Sequence, residues 1–185
     1  CGNAVTNSAS LTVLENVVVA SAPVSLTNCP GTSANFNVTA SGTGLSYQWY
    51  KGGSALSGET GSSLVLANVS ATDAGIYSVV ISGVCGNAVT NSASLTVLEN
   101  VVVASAPVSL TNCPGTSARF SVTASGTGLS YQWYKGSSAL AGKTANILML
   151  ANVNATDAGV YSVVISGMCG NAVTNSASLT VLENV

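Results

Sequence analysis

Apolar and polar residues alternate over short runs along this chain. Phe36, Val38 and Ala40 share one face of such a run, with Asn35, Asn37 and Thr39 on the other. Tyr77, Val79 and Ile81 alternate in the same way with Ser78, Val80 and Ser82. A period of two marks a β-strand with one buried face, as in antiparallel sheets. Strands are predicted at residues 17–19, 24–27, 34–40, 45–51, 64–66, 76–82 and 89–97, separated by Gly, Asn and Ser. No stretch carries helical periodicity over a useful length. Short strands with frequent turns predict an all-β chain built as a sandwich.

The pattern then starts again. CGNAVTNSASLTVLENV begins at Cys1, Cys85 and Cys169, a period of 84 residues. Residues 17–100 and 101–184 are full copies that differ at 12 positions. Residues 1–16 match the end of a copy, and Val185 matches the start of one. Self-similarity at a fixed period is the signature of an array. The expected domains are therefore 17–100 and 101–184, each the size of one small domain. Residues 1–16 are expected to be the final turn and strand of a preceding repeat, and 185 the start of a further one.

Composition narrows the function classes. Hydrophobic residues make up 47% of the chain and charged residues 5%, the opposite of a disordered chain. Four basic residues (Lys51, Arg119, Lys135 and Lys143) and a net charge of −2 argue against nucleic-acid binding by phosphate neutralisation. Apolar runs such as 17–20 are far too short to span a bilayer, so no membrane insertion is expected.

Each repeat also carries landmarks in a fixed order. Tyr47-Gln48-Trp49-Tyr50-Lys51 precedes Gly52-Gly53, and Asp73-Ala74-Gly75-Ile76-Tyr77 follows Leu64-Val65-Leu66. End to end, each repeat resembles an immunoglobulin-like domain, specifically the I-set-like domains of large bacterial surface proteins. The resemblance implies tandem immunoglobulin-like β-sandwiches arranged end to end. It makes Trp49 and Trp133 the core tryptophans of strand C. It makes Tyr77 and Tyr161 the tyrosine corners of strand F, after Asp73 and Asp157. The two cysteines that usually bridge such sheets fall at Val38 and Val79, and at Val122 and Val163. These valines are expected to pack against the tryptophan, each contributing about 1.5–3 kcal/mol on burial.

The five cysteines fall outside that core. Cys29 and Cys113 lie in Asn-Cys-Pro-Gly before strand B; Cys1, Cys85 and Cys169 lie before a Gly-Asn in the turn between strands F and G. Recurring cysteines imply an oxidising, extracellular setting. In the implied fold the A–B and F–G turns sit at opposite ends of a domain, roughly 30 Å apart at ~3.3 Å per residue. A disulfide requires Cα atoms within about 7 Å. An interdomain Cys29–Cys169 bridge is therefore expected, with Cys1, Cys85 and Cys113 reaching neighbouring repeats or subunits. An intradomain Cys29–Cys85 bridge and free thiols are the alternatives.

Chemistry for catalysis is sparse. The chain has no histidine and six acids, too scattered for a carboxylate pair or a calcium cage. Gly42-Thr43-Gly44 is expected to be a hairpin turn rather than a nucleotide loop, because nothing helical follows it. No enzyme, metal or cofactor is expected. Tyr50 and Tyr134 are candidates for an exposed sugar-binding platform, with cross-strand packing as the alternative. Asn37, Asn68 and Asn154 head N-glycosylation-type triplets in a chain rich in Asn, Ser and Thr. Glu59 is replaced by Lys143 at the equivalent position, which suits side-by-side packing or two solvated charges.

Two function classes follow. One is a structural building block of an extracellular fibre, filament or surface stalk, with further repeats or subunits as partners. A mean hydropathy of +0.49 with so little charge favours association. The other is an adhesin or carbohydrate-binding stalk that engages a cell-surface glycan or protein. The B–C loop is identical in both copies (41–46 and 125–130), and most differences fall between Gly53 and Ser70, which favours a repeated spacer. A segment of a larger secreted enzyme is a third class. The strand expected in residues 1–16 either belongs to a preceding domain or completes a sandwich in another subunit by strand addition.

Overall fold

The computed structural model describes residues 1–183. They form two compact units. The first comprises Cys1–Leu26, Ser33–Ala67 and Asp73–Thr96. The second comprises Thr27–Thr32, Asn68–Thr72 and the chain from Val97 onward. The second unit thus holds two short pieces of the first repeat.

In the first repeat the strands are β1 (Val18–Ser21), β2 (Leu26–Asn28), β3 (Ala34–Asn37), β4 (Thr39–Ser41), β5 (Ser46–Lys51), β6 (Ser54–Ala55), β7 (Ser63–Leu66), β8 (Gly75–Ser82) and β9 (Val89–Val97). The second repeat gives β10 (Val102–Ser105), β11 (Leu110–Asn112), β12 (Ala118–Ser121), β13 (Thr123–Ser125), β14 (Ser130–Lys135), β15 (Ser138–Ala139), β16 (Ile147–Leu150), β17 (Gly159–Ser166) and β18 (Val173–Val181). One sheet of each repeat has five strands, ordered β2-β9-β8-β5-β6 and β11-β18-β17-β14-β15. Facing it are the pairs β1–β4 with β3–β7, and β10–β13 with β12–β16.

Local chemistry explains most of these elements. β1 stops before Pro23, which has no N–H to donate and is buried. The chain then changes sheets. The second repeat shows the result: β10 pairs with β13, and β11 runs parallel to β18, with Leu110 opposite Leu179. The strand expected at 34–40 divides at Val38, because its first half pairs with β7 and its second half with β1. The Val38 N–H still donates to the Ser62 carbonyl at 2.9 Å. β6 and the 3-10 turn Ala71–Asp73 were not predicted, being too short to leave a period.

The core of the second repeat packs Phe120, Trp133, Leu148, Tyr161, Val163, Ile165 and Leu179 with smaller residues around them. Phe120 stacks on Tyr161 with ring centroids 5.2 Å apart and tilts against Trp133 at 6.1 Å. The first repeat buries the corresponding Phe36, Trp49, Leu64, Tyr77, Val79, Ile81 and Leu95. None of the differing positions is buried in either copy, so substitutions between the copies leave the core untouched.

The strand expected in residues 1–16 needs a partner outside the two full copies. Residues 1–15 form no strand, and residues 1–16 are exposed throughout. The same sequence makes β9 and β18 where β8 and β17 lie alongside to pair with it. Among the described residues both of those partners are already taken. The expected opening of a further repeat at Val185 lies outside the described residues, as does Asn184, the last residue of the second copy.

Candidate functional site: the cysteine turns

The chemistry of this chain concentrates in two kinds of turn. The first follows β2 and β11. Asn28-Cys29-Pro30-Gly31 bends with Gly31 at φ +81°, a conformation that strains residues with a Cβ. Thr32 closes the turn: its N–H and its hydroxyl both donate to the Cys29 carbonyl, at 3.2 and 2.8 Å. The Gly31 N–H donates to Val69 (2.8 Å), and the Val69 N–H to Thr32 (2.9 Å). These bonds tie together the two pieces of the first repeat that belong to the second unit. Asn68 precedes Val69 with φ 52°, tolerable for Asn in a turn.

The second kind lies between β8 and β9, and between β17 and β18. Asn100 forms an isolated parallel bridge with Cys169. A Cβ on Gly167 would come within 2.8 Å of Val101 Cγ2, so that position takes glycine for lack of space. Gly170 at φ +81° lies over the Asn100 side chain.

Cys29 and Cys169 are bonded, with Cα atoms 5.5 Å apart, across 140 residues of sequence. Both lie in the second unit. The expected bridge is thus formed, and the alternative Cys29–Cys85 pairing is not. Cys169 is 2% exposed. Cys1, Cys85 and Cys113 are free thiols; Cys1 and Cys113 are exposed and Cys85 half-buried.

A further element of the joint escaped the sequence reading. Glu99, in the link between the repeats, is held by Thr127 of the B–C loop: Thr127 N–H donates to the Glu99 carbonyl (3.2 Å), and Glu99 N–H to the Thr127 hydroxyl (2.9 Å). A Cβ on Gly126 would meet the Asn100 carbonyl at 3.0 Å. The same contacts recur in the first unit between Glu15 and Thr43, at 3.1 and 2.9 Å. The Gly42-Thr43-Gly44 turn is not a hairpin, since β4 and β5 lie in different sheets; it is a cradle for the link. The available signal was the identity of this loop in both copies.

The remaining candidates occupy the sandwich. Val38, Val79, Val122 and Val163 are buried, as are Trp49, Trp133, Tyr77 and Tyr161. Val79 sits opposite Trp49 across β5 and β8, and Val163 opposite Trp133. The indole N–H groups donate to Gly61 and Ala145, each at 2.9 Å. Each tyrosine hydroxyl donates to the carbonyl of Asp73 or Asp157 at 2.8 Å. Burial, and then the nearby Asp157 carboxylate, push the Tyr161 phenol above its ordinary range.

Asp157 also caps its turn, accepting from the Asn154 N–H at 2.9 Å, while the Asn154 side chain accepts from Thr156. Asn37 and Asn68 are exposed; Tyr50 and Tyr134 are half-buried. Glu59 and Lys143 lie in corresponding turns, where their carbonyls accept from Trp49 and Trp133. Among the described residues no three His, Cys, Asp or Glu side chains group as metal ligands. No helix there is long and apolar enough to cross a membrane.

No family model matches the chain. It is 30% identical to the muscle M-line assembly protein unc-89 of Caenorhabditis elegans, over 82% of this chain and 2% of that protein. The chain thus spans a very small part of that relative. Among solved structures, a titin I-band fragment, I67–I69, superposes with a TM-score of 0.79 at 21% identity, covering 92% of this chain and 66% of that one. Sidekick-1 immunoglobulin domains 1–4 give a TM-score of 0.76 at 18% identity, covering 95% and 51%. The fold is that of tandem immunoglobulin-like domains. The expected bacterial source finds no support in these relatives, which are animal proteins.

Proposed function

We propose that this chain is a run of structural modules, a building block of an extracellular fibre, filament or surface stalk that works without catalysis. The observation that carries this reading is the Cys29–Cys169 bridge, which ties a turn of one repeat to a turn of the next. A disulfide stabilises mainly by restricting the unfolded chain, and a long loop restricts it most. Cross-linking consecutive repeats suits a chain that bears load or keeps its spacing. It also accounts for a core that does without a central bridge.

The near-identity of the copies supports the same reading. The B–C loop, a place where a binding module would vary, is here occupied in holding the link through Thr43 and Thr127. A bridge formed from recurring cysteines favours an oxidising compartment. The likeness to a muscle assembly protein agrees with a role as one module among many.

Electron microscopy of the native material tests this. Extended, regularly spaced particles or filaments are expected. Dispersed globular monomers would overturn the proposal.

A further inference from the structure

The bridge has two half-sites, and each exists a second time without its partner. Cys113 stands where Cys29 stands. Its turn is closed by the same bonds, from Thr116 N–H (3.2 Å) and Thr116 Oγ1 (2.7 Å) to the Cys113 carbonyl. The Gly115 N–H donates to Val153 at 2.8 Å, with Gly115 at φ +81°. Asn112 Nδ2 donates to Thr116 at 3.0 Å, as Asn28 does to Thr32. The turn therefore takes its shape from its own repeat and keeps it whether or not its sulfur is bonded.

Cys85 stands where Cys169 stands. Asn16 makes the parallel bridge to it that Asn100 makes to Cys169. Gly86 is at φ +84° over Asn16, as Gly170 is over Asn100. The Val84 N–H donates to Thr43 at 2.9 Å, and the Met168 N–H to Thr127 at 2.9 Å. The two free thiols are held in the backbone geometry of the two bonded ones.

Order along the chain rules out a bond between these two within one pair of repeats. In the observed bridge the Asn-Cys-Pro-Gly cysteine comes from the earlier repeat and the Cys-Gly-Asn cysteine from the later one. Cys113 is in the later repeat and Cys85 in the earlier, so one chain cannot reproduce the bridge between them. A second copy can. We infer that Cys113 of one copy and Cys85 of another form a disulfide equivalent to Cys29–Cys169, joining copies head to tail.

Residues 1–13 of the second copy make no strand and lie exposed, so none of them is buried in packing that the bond would have to break. Cys1 has the same neighbours in sequence but no formed turn, and is not the partner. The inference deepens the structural reading above and rests on it.

The bond requires a two-electron oxidant, here a low-molecular-weight disulfide such as oxidised glutathione. The Cys113 thiolate attacks it, forms a mixed disulfide and releases one small thiol. The Cys85 thiolate of the second copy attacks the protein-side sulfur and releases the other. Two protein thiols and one small disulfide become one protein disulfide and two small thiols.

The test uses the purified 185-residue chain, concentrated in a glutathione redox buffer and examined by non-reducing electrophoresis and peptide mapping. A ladder at multiples of 18.2 kDa, linked through Cys113 and Cys85, is expected. Cys113→Ser or Cys85→Ser alone should collapse the ladder to monomer, while their mixture should stop at dimers. Cys1→Ser should leave it intact. Absence of a ladder, links through Cys1 in statistical proportion, or a Cys85–Cys113 bond within one chain would each overturn the inference. Those outcomes leave the structural reading standing if microscopy of native material still finds extended particles.

Discussion

Residues 1–16 and 85–100 have one sequence and two structures. In the second stretch, nine residues form β9, with Ala93 and Leu95 buried. In the first, the corresponding Ala9 and Leu11 are exposed and no strand forms. Leu11 is 89% exposed and Leu95 2%. Only the last residues behave alike: Glu15 is gripped by Thr43 just as Glu99 is by Thr127. The difference is one of partners. β9 has β8 to satisfy its backbone groups and a sandwich to bury its apolar face. Alternation and β-propensity are the same in both stretches. A strand is thus a joint property of a sequence and its neighbours.

The sharpest way to break this contrast is a matched pair of substitutions. Leu95→Ala, 2% exposed, should cost the first unit about 2–5 kcal/mol, the usual range for deleting a buried leucine. Leu11→Ala should change stability by less than about 0.5 kcal/mol, as at an exposed site. Urea unfolding of both variants measures this. Equal effects would mean that the tail is packed after all.

The next test compares two copies that do form strands but differ in their cysteine. Cys169→Ser removes the bridge and should destabilise the second unit by about 2–4 kcal/mol. Cys85→Ser, at the free counterpart, should stay within about 0.5 kcal/mol. Unfolding without reductant separates them, and the difference should vanish in dithiothreitol.

The smallest effect concerns Tyr161, whose pair partner in the sheet is Ala177 of β18. Its phenol is raised above the ordinary 10.0 by burial first and Asp157 second. The unfolded chain therefore loses this proton at lower pH than the folded one. The stabilisation is complete below pH 10.0 and is lost as pH rises through the higher folded value. Thermal unfolding between about pH 9 and 11 should show a shallower alkaline decline in Tyr161→Phe than in the parent.

Much of this was legible from spacing alone. The alternation at Phe36, Val38 and Ala40 and at Tyr77, Val79 and Ile81 located two strands, because period two is a local property of the backbone. The core and its corner came instead from the resemblance to an immunoglobulin-like domain, carried by Trp49 and the Asp73-x-Gly75-x-Tyr77 run. β6 left no trace, since two residues cannot express a period. The grip of Thr127 on Glu99 was also hidden. It joins groups far apart in sequence, and one of its two bonds uses only backbone atoms.

The amino-acid sequence by itself determined the period of 84 residues, the sandwich inside each period and the burial of its tryptophan and tyrosine. These follow from patterns repeated within a few residues or a few strands. Tertiary structure alone decided which of three identical cysteine segments is a bridged strand, which is an unbridged strand and which is an exposed tail. Identical residues cannot encode that difference. It comes from whether a sheet edge and a second thiol lie within reach, and those are supplied by other parts of the chain.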